Sequence, residues 1–296
     1  MAARLNYLAL DRSDIQFATK EASKYMANPT EGNWLLLKRI GRYLKGNPRL
    51  VQMFRWQSAT RALHTYTDSD WAGDKTTRKS TSGGIAFLGS HCIKSWSTNQ
   101  SIIALSSAEA ELYALLKGAS QSLGLKSLAA DFGDDLEAGL WSDASAAIAI
   151  SQRSGLGKLR HIQTQFLWLQ ERVAAKELTL TKVLGTSNPA DMLTKNLATA
   201  DLDRHLEFSG LILREGRADG SLQVAGVTCS SLSSKTSAAL RIAMGPRVVY
   251  GTSEMATPIA AVGGFPRGLN DDGIADCPRY WRRLLSAHTG DLVWKQ

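Results

Sequence analysis

The chain has 296 residues, 44% hydrophobic and 21% charged, enough for one full core and a smaller second one. The three cysteines, Cys92, Cys229 and Cys277, are far apart with no CxxC pair, which excludes a disulfide framework and a cysteine zinc site. A net charge of +8 favours a polyanionic partner, and without a signal pattern or a bilayer-length apolar run an intracellular protein with no membrane association is expected.

The N-terminal segment reads as helical and basic. Thr30 stands where an N-cap is expected, and Leu36, Leu37, Ile40, Tyr43 and Leu44 recur after it at helical spacing. Lys38, Arg42 and Lys45 fall at i, i+4 and i+7 on another face, a stripe that either tracks phosphates or is simply solvated. Residues 1–62 hold 11 Lys and Arg against 4 Asp and Glu, a net +7; residues 63–210 hold 14 against 16, a net −2; residues 211–296 hold 10 against 7, a net +3. The basic excess therefore precedes a carboxylate-rich segment, an arrangement in which one part holds a polyanion and the other holds metals that cut it.

Further along, His64 to Thr67 reads as a strand ending in Asp68-Ser69-Asp70, with Asp68 and Asp70 on one face and Ser69 on the other. Arg78 and Lys79 add cations just after it, as candidate phosphate contacts. Phe87 to Ser90 and Ile93 to Trp96 form a hairpin. Ser106 followed three residues later by Glu109 is a capping box, which gives Glu109 a structural reading; Glu111, on a different helix face, is the better ligand. Trp141-Ser142-Asp143 ends a short apolar strand and Ala144 to Ile150 starts a helix. Asn188-Pro189 suits a helix start, which puts Asp191 in the first turn, near the positive end of the dipole.

Any one of these acids alone reads as a turn former or a cap. Together they make the order Asp68, Glu111, Asp143, Asp191, each inside its own motif: YTDSDWAGD from Tyr66, LSSAEAELYA from Leu105, LWSDASAAIAI from Leu140 and TSNPADMLTK from Thr186. Carboxylates brought together are hard oxygen ligands suited to Mg²⁺.

These motifs, with Arg78-Lys79-Ser80-Thr81-Ser82-Gly83, resemble the ribonuclease H domain of copia-type LTR retrotransposon Pol polyproteins, from about Leu63 to about Gly210. Asn6-Tyr7-Leu8-Ala9, Asp14 to Ala18, Trp34 to Ile40 and Arg42 to Gly46 resemble the last part of the reverse transcriptase, its thumb and tether. The resemblance implies an α/β fold: a ribonuclease H-like mixed five-stranded sheet with flanking helices, its first three strands antiparallel, preceded by a short helical thumb remnant. It implies catalytic roles for Asp68, Glu111, Asp143 and Asp191, which would hold two Mg²⁺ ions (Mn²⁺ as substitute) roughly 3.5–4 Å apart, with Asp70 as an accessory ligand. The implied substrate is an RNA–DNA hybrid, cut in its RNA strand, and the implied partner is the remainder of a Pol polyprotein, in the cytoplasm within a retrotransposon particle or in the nucleus. RNA would be distinguished by its 2′-hydroxyls; Ser69, Ser106 and Ser142 flank the acids, and the sequence assigns none of them to such a contact. A catalytically silent nucleic-acid-binding relic of this fold is the alternative, and a generic exonuclease or resolvase of the same fold is a more distant one.

One departure stands out. Many ribonucleases H carry a histidine in the loop before the last acidic helix, and here Leu184 to Ala190 has none; His161 in Leu159-Arg160-His161-Ile162 matches a copia-type motif instead. No Tyr-x-Asp-Asp occurs, so no polymerase activity is expected, and the chain reads as a C-terminal Pol fragment or a decayed copy. From Leu211 the resemblance stops. The Gly-, Ser- and Ala-rich remainder reads as a weakly ordered extension, with Tyr280 to Leu285 as a candidate short basic-aromatic helix.

Overall fold

The computed structural model describes residues 1–155 and 165–216. His161, the expected helix at Tyr280 to Leu285 and the extension beyond residue 216 lie outside the described residues.

Three helices come first: α1 (Ala2–Leu8), α2 (Ser13–Ser23) and α3 (Glu31–Gly46). Thr30 caps α3 as expected: its side chain accepts from Asn33 N, and Asn33 returns the bond to Thr30 N at 2.7 Å. Ile40 is buried with Ile15, Ala22 and Ala9, and Leu36, Leu37, Tyr43 and Leu44 pack around them. Arg12 grips Asp14 with two nitrogens, and the Tyr43 hydroxyl donates to the same carboxylate at 2.8 Å, which ties α3 to the start of α2.

The N-terminal helices pack on the sheet. They lie against two strands and the loop between β2 and β3 through α2: Ser13 Oγ is 2.8 Å from Ser95 Oγ, Lys20 Nζ donates to Thr81 Oγ1 at 2.7 Å, and Lys24 pairs with Asp74 at 3.1 Å.

The strands are β1 (Arg49–Gln52), β2 (Ala62–Asp70), β3 (Thr81–Leu88), β4 (His91–Asn99), β5 (Glu137–Ser142), β6 (Leu178–Lys182) and β7 (Leu211–Arg214). Five of them form one sheet in the order β4-β3-β2-β5-β6, with β2, β3 and β4 antiparallel and β5 and β6 parallel to β2. The β3–β4 hairpin turns at Gly89, whose φ of +60° is the left-handed conformation that glycine takes without strain.

Helix α4 (Ser107–Asp131) crosses one face, with α5 (Ser145–Gln152) and α6 (Gln165–Ala174) beside it. Leu63, Leu112, Leu115, Leu140, Phe166 and Leu169 form that core. Contact is close. A Cβ on Gly118 would stand 2.4 Å from Thr67, and Ser122 donates to Thr65 Oγ1 at 2.7 Å. The opposite face carries a second core of Ile85, Phe87, Met192, Leu193, Leu206 and Leu211, roofed by α7 (Thr199–Phe208) and a 3₁₀ turn (Pro189–Leu193).

Strand β7 pairs with β1 in a separate ribbon, Arg49 opposite Arg214 and Gln52 opposite Leu211. The first residues of the expected extension are therefore ordered, because Leu211 is buried in the second core.

Gly83 holds the 3₁₀ turn against β3. A Cβ there would lie 2.6 Å from Thr194 Cγ2, 2.9 Å from Leu193 Cβ and 3.0 Å from the Ala190 carbonyl. Gly83→Ala should therefore cost about 1–3 kcal/mol by overpacking. Gly124→Ala, in α4 with nothing within 4 Å of a new Cβ, should gain roughly 0.5–1 kcal/mol. Urea denaturation of the two variants checks both signs, and equal effects would contradict this packing.

Candidate active site

The register of β2 and β5 explains why two acids meet. Tyr66 pairs with Trp141 in the parallel ladder, and two residues further on come Asp68, in β2, and Asp143, just past the end of β5. Glu111 enters from α4. Ser69, pointing away from Asp68 as strand alternation requires, donates to Glu111 Oε1 from its N–H at 3.1 Å and its hydroxyl at 3.2 Å. One oxygen each from Asp68, Glu111 and Asp143 lie within 4.8 Å of one another.

Asp191 arrives on the 3₁₀ turn. Asn188 caps this turn as the Asn-Pro signal suggests: its Oδ1 accepts from Ala190 N at 3.2 Å and its Nδ2 donates to the Thr67 carbonyl at 2.9 Å, which anchors the turn to β2. Thr194, at the end of the turn, donates its hydroxyl to Asp68 Oδ2. Asp191 lies outside the three-residue cluster, but its charge raises the pKa of both Asp68 and Asp143. Its Oδ2 is 2.8 Å from Lys195 Nζ.

Crowding and burial govern the electrostatics. Desolvation first, then Asp68 and Asp143, push Glu111 up to about 9. Desolvation first, then Asp191, push Asp68 up to about 7. Asp143 is raised by burial and by Asp191. Glu111 Oε2 and Asp191 Oδ1 are buried with no hydrogen-bond partner. Buried carboxylate oxygens left unpaired are costly in a folded protein, and a hard divalent cation is the ligand that such oxygens fit.

Asp70, expected as an accessory ligand, is not in the cluster. It follows Asp68 by two residues on the same face, a strand spacing of roughly 6–7 Å. Burial raises its pKa, with Lys195 and Lys20 acting in the opposite direction. Glu109 is structural, as its capping position implies. Ser106 Oγ accepts from Glu109 N at 3.2 Å, while the Glu109 carboxylate accepts from Leu105 N at 2.8 Å, one residue short of the usual reciprocal bond. The three serine hydroxyls near the acids are all engaged within the protein, by Glu111 (Ser69), Glu109 N (Ser106) and Ala144 N (Ser142).

The loop from Leu184 to Ala190, which has no histidine, places Gly185 where a Cβ would stand 3.0 Å from Asp143 Oδ2. The fold does bring a histidine into the field of Asp191: His205 of α7, 3% exposed and lowered in pKa by burial.

The candidate phosphate contacts are on the surface. Lys38, Arg42 and Lys45 are exposed on α3, with Lys38 Nζ 5.7 Å from the Trp34 ring centroid. Arg78 is exposed and Lys79 half-buried in the loop between β2 and β3. Asp74 organises that loop by accepting from Thr76 N and Thr77 N, each at 3.0 Å. Two residues that shape the centre carried no expectation from the sequence: Thr194 and Lys195. The signal for Lys195 was its i+4 spacing from Asp191 within one motif.

The strand order and directions, with acids gathered at the ends of β2 and β5, define a ribonuclease H-like α/β protein. The chain is homologous to copia-type retrovirus-related Pol polyproteins of transposons. Those from transposons RE2 and RE1 of Arabidopsis thaliana are 31% and 34% identical to it, over 74% and 66% of this chain. The chain spans 15% and 13% of those relatives' length. No family model matches it. The N-terminal RNase H domain of rv2228c from Mycobacterium tuberculosis, solved as a fusion with maltose-binding protein, superposes with a TM-score of 0.33 at 15% identity, covering 50% of this chain and 98% of that one. Among the described residues no helix is long and apolar enough to cross a membrane.

Carboxylates this crowded repel one another, so a cation that joins them stabilises the fold. Mg²⁺ or Mn²⁺ at a hundredfold excess over Kd should add roughly 2.7 kcal/mol, a rise of about 5–10 °C in Tm that EDTA reverses. Asp68→Asn should raise the metal-free Tm and abolish the metal-induced rise. Differential scanning calorimetry of both proteins, with and without metal, reads the two effects.

Proposed function

We propose that this protein cleaves the RNA strand of RNA–DNA hybrids in a divalent-metal-dependent reaction, as the ribonuclease H part of a retrotransposon Pol polyprotein. The observation that carries the reading is the convergence of Asp68, Glu111 and Asp143 to within 4.8 Å, with Asp191 alongside. Homology to transposon Pol polyproteins supports it. These four residues would hold Mg²⁺ or Mn²⁺. When bound, such ions supply the Lewis acidity that activates a water and offsets charge on the leaving oxygen.

The chain's own residues prepare the centre. Ser69 fixes Glu111 through one oxygen and leaves the other unpaired, and Thr194 donates to Asp68 Oδ2. Gly185 lets the loop before Asp191 approach the Asp143 carboxylate without a side chain between them. The exposed cations Lys38, Arg42, Lys45 and Arg78, with half-buried Lys79, supply phosphate contacts outside the acidic centre.

The test is cleavage of labelled hybrid, duplex DNA and duplex RNA with Mg²⁺, Mn²⁺ or EDTA. Hybrid should be cut only with metal, and full activity in EDTA, or none with any metal, would sink the proposal. Glu111→Gln should abolish cleavage, because it removes a ligand. Glu109→Gln should keep most of it, because a Gln oxygen still accepts from Leu105 N.

The basic helix makes a separate prediction. Replacing Lys38, Arg42 and Lys45 with Ala should weaken hybrid binding and lower the magnitude of the log K against log salt slope by roughly 0.7–0.9 per lost phosphate contact, with the metal requirement intact. An unchanged slope would make α3 a solvated face and leave binding to Arg78, Lys79 and their neighbours.

A further inference from the structure

Lys195 is a cation that the fold sets among its own carboxylates. Its Nζ lies 2.8 Å from Asp191 Oδ2, one helical step along the chain. Its charge also acts at Asp68, Asp143 and Asp70. The side chain keeps 46% of its exposure, so solvent still reaches it, whereas the Asp191 carboxylate is 13% exposed. Asp191 is thereby divided: Oδ2 is taken by the ammonium, and Oδ1 is buried without a partner. The other three acids have no cation in direct contact among the described ion pairs.

We propose that Lys195 is the internal counter-ion of the acidic centre, which occupies Asp191 Oδ2 and thereby sets how tightly the centre takes a divalent cation. The inference rests on reading the cluster as a metal site and is independent of whether hybrid is cut. Its sign follows from charge. In the metal-free protein the ammonium relieves repulsion among four acids. Toward an incoming divalent cation it is a like charge, and it holds an oxygen that the cation would otherwise share. A purely structural lysine would have the opposite effect, because its loss would loosen Asp191 and weaken metal binding.

The experiment is calorimetric titration of Mn²⁺ into the full chain, with Tm measured alongside. Lys195→Gln should bind Mn²⁺ about tenfold more tightly than the wild type, the scale of one ammonium acting on a doubly charged ion nearby in a water-like dielectric. Its metal-free Tm should fall, and saturating Mn²⁺ should close the gap. Lys195→Met, which keeps the stem, should show the same gain in affinity, and Lys195→Arg should behave as the wild type. Unchanged or weaker Mn²⁺ binding by Lys195→Gln and Lys195→Met, with measurable binding by the wild type, overturns the proposal. No Mn²⁺ binding by any variant, the wild type included, overturns the metal reading itself and the proposal with it.

Discussion

Mutual repulsion of buried carboxylates is the constraint on which the rest of this structure depends. Asp68, at 4% exposure, sits on the central strand of the sheet, and the strand register and α4 bring Asp143 and Glu111 to it. Each acid is pushed towards its neutral form by lost solvation and by its neighbours. Their folded pKa values lie above the unfolded ones, so the folded state binds the extra protons. Their contribution to metal-free stability is therefore fully present below the ordinary carboxylate range and is lost as pH rises through about 7 for Asp68 and about 9 for Glu111. A fold that keeps such groups together near neutral pH needs compensation, from cations inside the site and from packing outside it.

That packing is concentrated on the 3₁₀ turn. So short an element is a weak lever for holding a carboxylate against its neighbours, and the turn is pinned at several points. Asn188 bonds β2 at the Thr67 carbonyl, Ser97 of β4 donates to the Leu193 carbonyl at 2.5 Å, and Thr194 donates to Asp68. Gly83 admits the backbone of the turn onto β3 where any side chain would exclude it. Local unfolding of the turn would remove Asp191, Thr194 and Lys195 together, so the fourth acid and its counter-ion move as one unit.

Much of this was legible in the sequence where a local rule decides the outcome. Strand alternation placed Asp68 and Ser69 on opposite faces, and Ser69 indeed meets Glu111 rather than Asp191. Capping chemistry separated Glu109 from Glu111 and marked Thr30 and Asn188. What the sequence did not reveal depends on contacts distant along the chain. Strand alternation also put Asp70 with Asp68, but sharing a face does not bring two side chains to one point, and the pKa of Asp70 is raised by burial, with Lys195 and Lys20 acting in the opposite direction. The pairing of β1 with β7 joins segments on either side of the sheet-forming region, and no short-range signal announces it. Asn-Pro followed by an acid reads the same for an α-helix and for a 3₁₀ turn, and only the close approach to β3 selects the shorter form.

The N-terminal charge count shows the same limit from the other side. Residues 1–62 carry a net +7, which reads as one broad cationic surface. The fold divides those cations by use. Arg12 is locked to Asp14, and Lys20 and Lys24 are bound to Glu21, Thr81 and Asp74 where α2 meets the sheet. Arg61 pairs with Asp135 beside β5. Lys20 and Lys24 fasten α2 to the sheet and its β2–β3 loop, and each of these paired charges is partly neutralised before a polyanion meets it. On α3 the exposed cations are Lys38, Arg39, Arg42 and Lys45, a compact set on one helix. The helix that carries them is held to α2 by the Arg12–Asp14–Tyr43 linkage, and α2 is held to the strands that lead into the acidic centre. The basic stripe is thus joined to the sheet through part-buried polar contacts, which is the coupling that a polyanion-binding element needs if it is to present a substrate at a fixed position and not merely raise its local concentration.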